Sequence, residues 1–394
     1  YYGASDMNGS VPAAYIAAHA YFAESADDQP DLINRFKAAG GRYSVMYTDP
    51  TFIPHCTPPF SPPAGVCKGP IGNGNLPESA WLHGPDGQRV HRADDYTHQY
   101  QEMLNPASPA ARGAYEAFTK AAVSRARVDV FFADDSGSPL KGPDGSPMSG
   151  AFYRFNAAAV ELPDDSRFVA GIKGMLASAV RPVVINGAEP DTYRPAYDGA
   201  LIDAPNVIGE LVEGCFLNDS SRAPLAGDTW RKMADGQIAV TRHHKYAVCM
   251  MQGEGLKDPL ERLYGLASWW LTYDPQWSVI APVSPGTDGK AVFSEEDIVP
   301  AEPLSATDRG LEAFRVGNLY VREFRRCYER GVVIGGCATV VNPTLSTVPV
   351  PELRQRYRSS LSLSSKSAYG GGSNVWSTNV PKSLGGNQAA ILRT

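Results

Sequence analysis

The sequence lacks most of the features that assign a function quickly. It has no long Lys/Arg cluster and carries a formal net charge of −6, which argues against nucleic acid and anionic membrane surfaces as partners. No stretch approaches the roughly 20 apolar residues needed to cross a bilayer, so no membrane span is expected. There is no CxxC pair and no Cys/His spacing of a zinc site, and no metal is expected. Neither GxGxxG nor GxxxxGK[ST] occurs, which removes the usual phosphate cradles, and no cofactor is expected. A G-x-S-x-G elbow is missing as well, which disfavours a hydrolase built on Ser, His and Asp. The sequence does not begin with Met and shows no signal peptide, so it reads as a mature or trimmed form of an exported protein.

What is present describes a folded globular chain, since 43% hydrophobic and 20% charged residues exclude the composition of a disordered one. A length of 394 residues suits one large barrel, or a barrel with an appendage, expected as a monomer. Cys56 and Cys67 flank the Pro-rich "TPPFSPPAGV", a loop with little means of ordering itself except a crosslink. Cys327 and Cys337 sit on two successive apparent strands, and Cys215 and Cys249 each follow a predicted strand. An even count with two close pairs predicts the disulfides Cys56–Cys67, Cys327–Cys337 and Cys215–Cys249, and with them a secreted or periplasmic location. Six reduced core cysteines in a cytosolic protein are the competing reading.

Up to about residue 305 the pattern alternates strand and helix. "YYGAS" opens as a short strand, "DLINRFKAAGG" reads as a helix closed by glycine, and "RYSVMYTDP" as a buried strand. An irregular excursion follows from Thr51 to about Glu78, after which "AWLHGPDGQRV" is the weakest strand, with a small hairpin inside it. Ser108 as N-cap and Pro109 at the first helical position start a helix. Strands over 128–133, "RPVVINGA", "NVIGELVEG", "YAVCMMQG" and "WSVIAPV" then alternate with helices over about 165–180, "GDTWRKMADGQIAVTRH" and "DPLERLYGLASWWL". Strands separated by helices imply parallel pairing, and eight such units predict an α/β fold, a (β/α)8 TIM barrel over residues 1–305. After Ala306 short strands and turns predict a small antiparallel β domain, sandwich-like, over 306–394.

Active sites of such barrels form at the carboxyl ends of the strands, and here nearly every strand ends in an acid or amide. Asp49 follows the second strand, Asp134 and Asp135 the fourth, Asn186 and Glu189 the fifth, Glu210 and Glu213 the sixth, and Gln252 and Glu254 the seventh. A rim of this kind suits polyol recognition and carboxylate catalysis better than phosphate binding. Cleaving a glycosidic bond needs two carboxyl groups flanking it, one of them a proton donor. Asp134 and Asp135 cannot be that pair, because neighbours on a strand point to opposite faces.

These segments resemble those of glycoside-hydrolase-like barrels that carry a C-terminal β domain. "VDVFFADD" is similar to their D-G-V-F-x-D strand, with Val130 standing where that pattern has glycine. "GELVEGC" resembles the G-x-x-x-E-G strand and "RPVVINGA" the intervening strand that ends in Asn-Gly; "ATVVNPT", "VPVP" and "NQAAILRT" resemble the closing β domain. The endo-polygalactosaminidase barrels are a more distant likeness. The resemblance implies a secreted glycoside hydrolase acting on a poly- or oligosaccharide, with retention of configuration. It makes Asp134 the nucleophile and Glu213 the acid/base, with Asp135 and Glu210 as their fallbacks. Tyr47, Asp49, Asn186 and Gln252 are candidates to bind sugar hydroxyls. The competing reading of each is local: a turn-capping Asp134, a salt-bridged Glu213, an Asn186-Gly187 turn, or a barrel that binds carbohydrate without cleaving it. Trp269 and Trp270 read as core packing, His243 and His244 as residues of the barrel's far end. One or two of Trp81, Tyr193, Tyr197 and Trp277 are expected to stack on a sugar ring.

Overall fold

The computed structural model describes residues 13–25, 30–54, 76–84, 86–90, 101–134, 136, 165–186, 201–217, 224–252, 258–283, 294–305, 309–364 and 373–394. They form two compact units, Ala13–Ala188 with Ala196–Glu210, and Leu211–Thr394 with two short segments. The expected α/β architecture is present: a parallel sheet of barrel type followed by antiparallel sheets.

In the first unit, helix α1 (Ala13–His19) leads into β1 (Phe22–Ser25), and α2 (Pro30–Ala38) into β2 (Tyr43–Thr48). The short strands β3 (Phe52–Pro54) and β4 (Gln101–Met103) pair with each other. Helix α3 (Pro109–Arg125), β5 (Val130–Ala133), α4 (Asp165–Ser178), β6 (Val183–Asn186) and β7 (Val207–Glu213) follow, β7 running across the unit boundary. The cap read from the sequence is present, with the Ser108 hydroxyl accepting from the Ala110 N–H at 3.2 Å ahead of Pro109. The four residues of β5, "VFFA", are all buried, as expected of a strand covered on both faces.

Two expectations need correction. β5 pairs directly with β2, so "AWLHGPDGQRV" is not a strand of the parallel sheet. Among the described residues it makes only isolated antiparallel bridges, Trp81 with Leu104 and His83 with Arg89, the second of which matches the expected hairpin. Its Pro-Asp-Gly turn breaks the run before a ladder can form. The sequence reading also missed β1, whose "FAES" is too short to show a period. The opening "YYGAS" lies outside the described residues. The sheet order is β1-β2-β5-β6-β7-β8-β9, seven strands among the described residues where eight were expected.

The second unit holds α5 (Gly227–Arg242), β8 (Tyr246–Gln252), α6 (Pro259–Thr272) and β9 (Ser278–Val283). Its antiparallel part contains β10 (Ile298–Pro303), β11 (Arg315–Val316), β12 (Leu319–Glu329), β13 (Val332–Asn342), β14 (Val348–Pro349), β15 (Ser359–Ser362), β16 (Val375–Ser377), β17 (Ser383–Leu384) and β18 (Gln388–Arg393). The main sheet runs β10-β12-β13-β18-β15-β16, with β11 beside β12, and β14 pairs with β17. Arg330 and Gly331 both adopt positive φ between β12 and β13, the two-residue turn whose twist matches a hairpin. Leu319, Ala338, Val340, Leu384, Ala390 and Leu392 form the core under this sheet. Helix α6 is buried on nearly all sides, and Gly265 lets it approach β8 so closely that a Cβ there would meet the Met251 sulfur at 2.5 Å.

Cys215 is bonded to Cys249 and Cys327 to Cys337, with Cα separations of 5.3 Å and 5.9 Å; the second was expected from its close spacing and the first as the remaining pair of an even count. The Cys56–Cys67 pair lies outside the described residues. Cys215 and Cys249 stand 34 residues apart and are fully buried, so converting both to Ser is expected to cost about 3–4 kcal/mol in the chain-entropy account. Urea unfolding measures this, and a loss under about 1 kcal/mol would contradict it. No helix among the described residues is long and apolar enough to cross a membrane.

Candidate active site

The side-chain alternation of β2 and β5 decides what reaches the site. The Thr48 hydroxyl lies 3.1 Å from the Tyr115 hydroxyl of α3, so the even positions of β2 face the helices. Phe131 does the same on β5, its ring 6.4 Å from that of Phe118 on α3. Tyr47 and Phe132 therefore share the opposite face, where their rings are 5.9 Å apart. Asp134 continues the parity of Phe132 and emerges on that inner face, at the carboxyl end of the sheet.

Asp134 is held there by both flanking strands. The Tyr47 hydroxyl donates to its Oδ2 at 2.7 Å, and the Asn186 side-chain amide donates to its Oδ1 at 2.7 Å. Each carboxylate oxygen thus has a neutral donor, and the two together fix how the carboxyl group is turned. The Asp134 N–H donates to the Thr48 carbonyl at 2.8 Å, which fixes the backbone. Ser136, which the sequence reading did not single out, ties the turn by donating to the Ala133 carbonyl at 2.9 Å, with the Asn186 carbonyl 3.2 Å away. Its signal was the "DDSG" turn itself.

Asp49 closes β2 in an Asx-type turn. Its Oδ1 accepts from the Phe52 N–H at 2.8 Å, the Thr51 N–H at 2.9 Å and the Thr51 hydroxyl at 3.1 Å. Burial of the carboxyl, and next the charge of Asp134, push its pKa up to about 7, against the pull of those three donors. Burial also raises the Tyr115 hydroxyl well above its ordinary range.

The structure therefore brings together four of the predicted site residues, Tyr47, Asp49, Asp134 and Asn186, within the first unit. Tyr47 and Asn186 hold the carboxylate as well as lining its surroundings. On β7, Glu210 is 2% exposed, whereas Glu213 is partly exposed. Asp135, Glu189, Glu254 and the side chain of Gln252 lie outside the described residues, as do Tyr193 and Tyr197. Asp129, the other acid of the "VDVFFADD" motif, works at the opposite end of β5. It accepts from the Ser44 N–H at 2.9 Å and pairs with Lys37 at 2.8 Å. Trp269 and Trp270 are buried, as expected of core packing. Trp81 is 2% exposed beneath the Arg89 guanidinium, and Trp277 packs edge-on against Tyr246.

No protein-family model and no curated protein matches the chain. Among solved structures, it is similar to an isomaltulose synthase from Klebsiella sp. LX3 at 9% identity, over 93% of this chain and 85% of that one, with a TM-score of 0.49. A trehalose-6-phosphate hydrolase from Bacillus licheniformis is similar at 10% identity over 93% and 85% of the two chains, with a TM-score of 0.41. An Aspergillus fumigatus protein in complex with galactosamine is similar at 10% identity over 63% and 73%, with a TM-score of 0.33.

Proposed function

We propose that this protein is a secreted glycoside hydrolase that cleaves a poly- or oligosaccharide with two carboxylates and net retention, Asp134 being the nucleophile. The observation that carries this reading is the setting of Asp134, at the carboxyl edge of the sheet with a neutral donor on each oxygen. A nucleophilic carboxylate must be oriented and free of a bound cation that would blunt it, and Tyr47 with Asn186 supplies the orientation through neutral donors. The attack forms a bond between a carboxylate oxygen and the anomeric carbon as the glycosidic C–O bond breaks. A second carboxyl gives its proton to the departing oxygen, then takes one from the water that releases the sugar. We assign this role to β7, with Glu213 first because a group that meets substrate needs access, and Glu210 as its fallback.

The test is release of reducing ends from a panel of bacterial and fungal polysaccharides. Cleavage of at least one is expected. Glu213→Gln should lower that turnover by about 10²–10⁴-fold, the usual share of general acid/base catalysis. An activated aryl glycoside, whose leaving group needs no proton, should be less affected in its first step. Parent-like turnover in Glu213→Gln with loss in Glu210→Gln would move the role to Glu210. Binding across the panel with no reducing ends released would make this a carbohydrate-binding barrel.

A further inference from the structure

Asp49 and Asp134 are neighbours in register. β2 and β5 pair in parallel with Thr48 opposite Ala133, so the next residue of each strand leaves the sheet side by side. Adjacent strands run about 4.8 Å apart, and the Asp134 N–H to Thr48 carbonyl bond extends the ladder by one more rung. Two carboxylates so placed ionise together only at high cost. Their donors differ in arrangement. Asp134 receives one on each oxygen, whereas all three donors to Asp49 converge on Oδ1 and leave Oδ2 as the atom to carry a proton.

We propose that Asp49 is a positioning residue of the Asp134 site that holds a proton while Asp134 is ionised, so that the pair carries one negative charge. The inference rests on the reading of Asp134 as the nucleophile. The direction in which Asp49 titrates agrees with it, since burial and the charge of Asp134 both raise its proton affinity. The other ionisable groups near Asp49 do not offset this. Tyr115 on α3 is held neutral by burial, and Glu102 on β4, beside the β3 strand that follows Asp49, is paired with Arg89 at 2.8 Å. Tyr47, from β2 itself, is engaged with Asp134.

The consequence is a pH limit set by a residue that does not attack the sugar. Below about pH 7 the Asp49 hydroxyl is a hydrogen-bond donor beside the nucleophile. Above it the donor is gone, and a sugar closing over the site must desolvate two like charges. The free-enzyme parameter kcat/KM should therefore fall through an apparent pKa near 7.

Asp49→Asn separates this role from turn formation. The Asn side chain keeps an Oδ1 for the Thr51 and Phe52 N–H groups and puts a permanent donor where the acid proton was. This variant is expected to turn over more slowly but to lose the alkaline limb of kcat/KM. Retention of the parent's limb would overturn the proposal. A second measurement needs no substrate. Selective ¹³C labelling of aspartate carboxyls, with Asp49→Asn used to assign the signal, follows the Asp49 titration directly. The parent should titrate near neutrality, and Asp134→Asn should lower the proton affinity of Asp49 by about tenfold or more. An Asp49 that titrates in the ordinary aspartate range, or is indifferent to Asp134→Asn, would overturn the shared proton whatever the protein cleaves. If that titration holds but no glycan is cleaved, the pair stands and the hydrolase reading falls.

Discussion

Asp134→Asn is expected to lower kcat on a cleaved glycan by about 10⁴-fold or more, the scale on which removing a covalent nucleophile acts. Affinity for the sugar should stay within about tenfold of the parent. Asn has the shape of Asp, and its Oδ1 still accepts from one of the two donors. The other mismatch can be relieved in place: the Asn186 amide turns over to present its oxygen, or the Tyr47 hydroxyl rotates to accept. Reducing-end kinetics with calorimetric sugar binding checks both halves. Turnover close to the parent's would hand the role to Asp135 or discard the covalent mechanism.

The second large effect concerns stability. Arg322 on β12 is 1% exposed, and its guanidinium donates to the Trp270, Leu271 and Tyr273 carbonyls at 3.3, 2.9 and 2.6 Å. They lie at the carboxyl end of α6, where the Trp270 carbonyl already accepts from the Tyr273 N–H at 3.4 Å and the helix dipole favours a cation. The Phe314 and Phe324 rings each lie 5.0 Å from the same guanidinium. Burial lowers the Arg322 pKa to about 10, so it stays charged at neutral pH. Arg322→Ala removes these donors and leaves a cavity, and is expected to cost about 3–5 kcal/mol. Arg322→Lys should recover only part, because all three of those bonds come from Nη1, and an ammonium lacks both the Nε–H that reaches the Ser305 carbonyl at 3.4 Å and the planar group beside the two Phe rings. Urea unfolding followed by tryptophan fluorescence reads both, and a loss below about 1 kcal/mol in Arg322→Ala would show that the contacts do not matter.

Much of the fold was legible because local signals and tertiary placement agree. Ser108-Pro109 and Asp258-Pro259 start helices where their capping chemistry says they should, each side chain accepting from the N–H two residues on. β12 and β13 were legible as two successive strands carrying Cys327 and Cys337. The strand "FAES" and the false strand at Trp81 were not legible, since four residues carry no period and apolar residues around a turn mimic a strand. The site shows the same division. An apolar run ending in Asp134 marks a strand end, and alternation then puts Asp134 with Phe132 on the inner face. The neutral-acid character of Asp49 was hidden, because it depends on Thr48 lying opposite Ala133. That register exists only once β2 and β5 are adjacent, and the long stretch of chain between them gives no sign of it. Arg322 was hidden for the same reason, since its partners lie some fifty residues away, the Leu271 carbonyl at a separation of 51.

The central claim, that Asp134 is a covalent nucleophile, is tested most directly by trapping. The protein would be incubated with a panel of activated fluoro-sugars, whose glycosyl-enzymes form faster than they hydrolyse, then weighed intact and mapped by peptide. The account predicts a mass increase of one sugar unit, carried on Asp134 in the peptide containing "VDVFFADDSG" and absent from Asp134→Asn. A sugar found on any other residue, or cleavage of a glycan with inversion and no adduct, would contradict it.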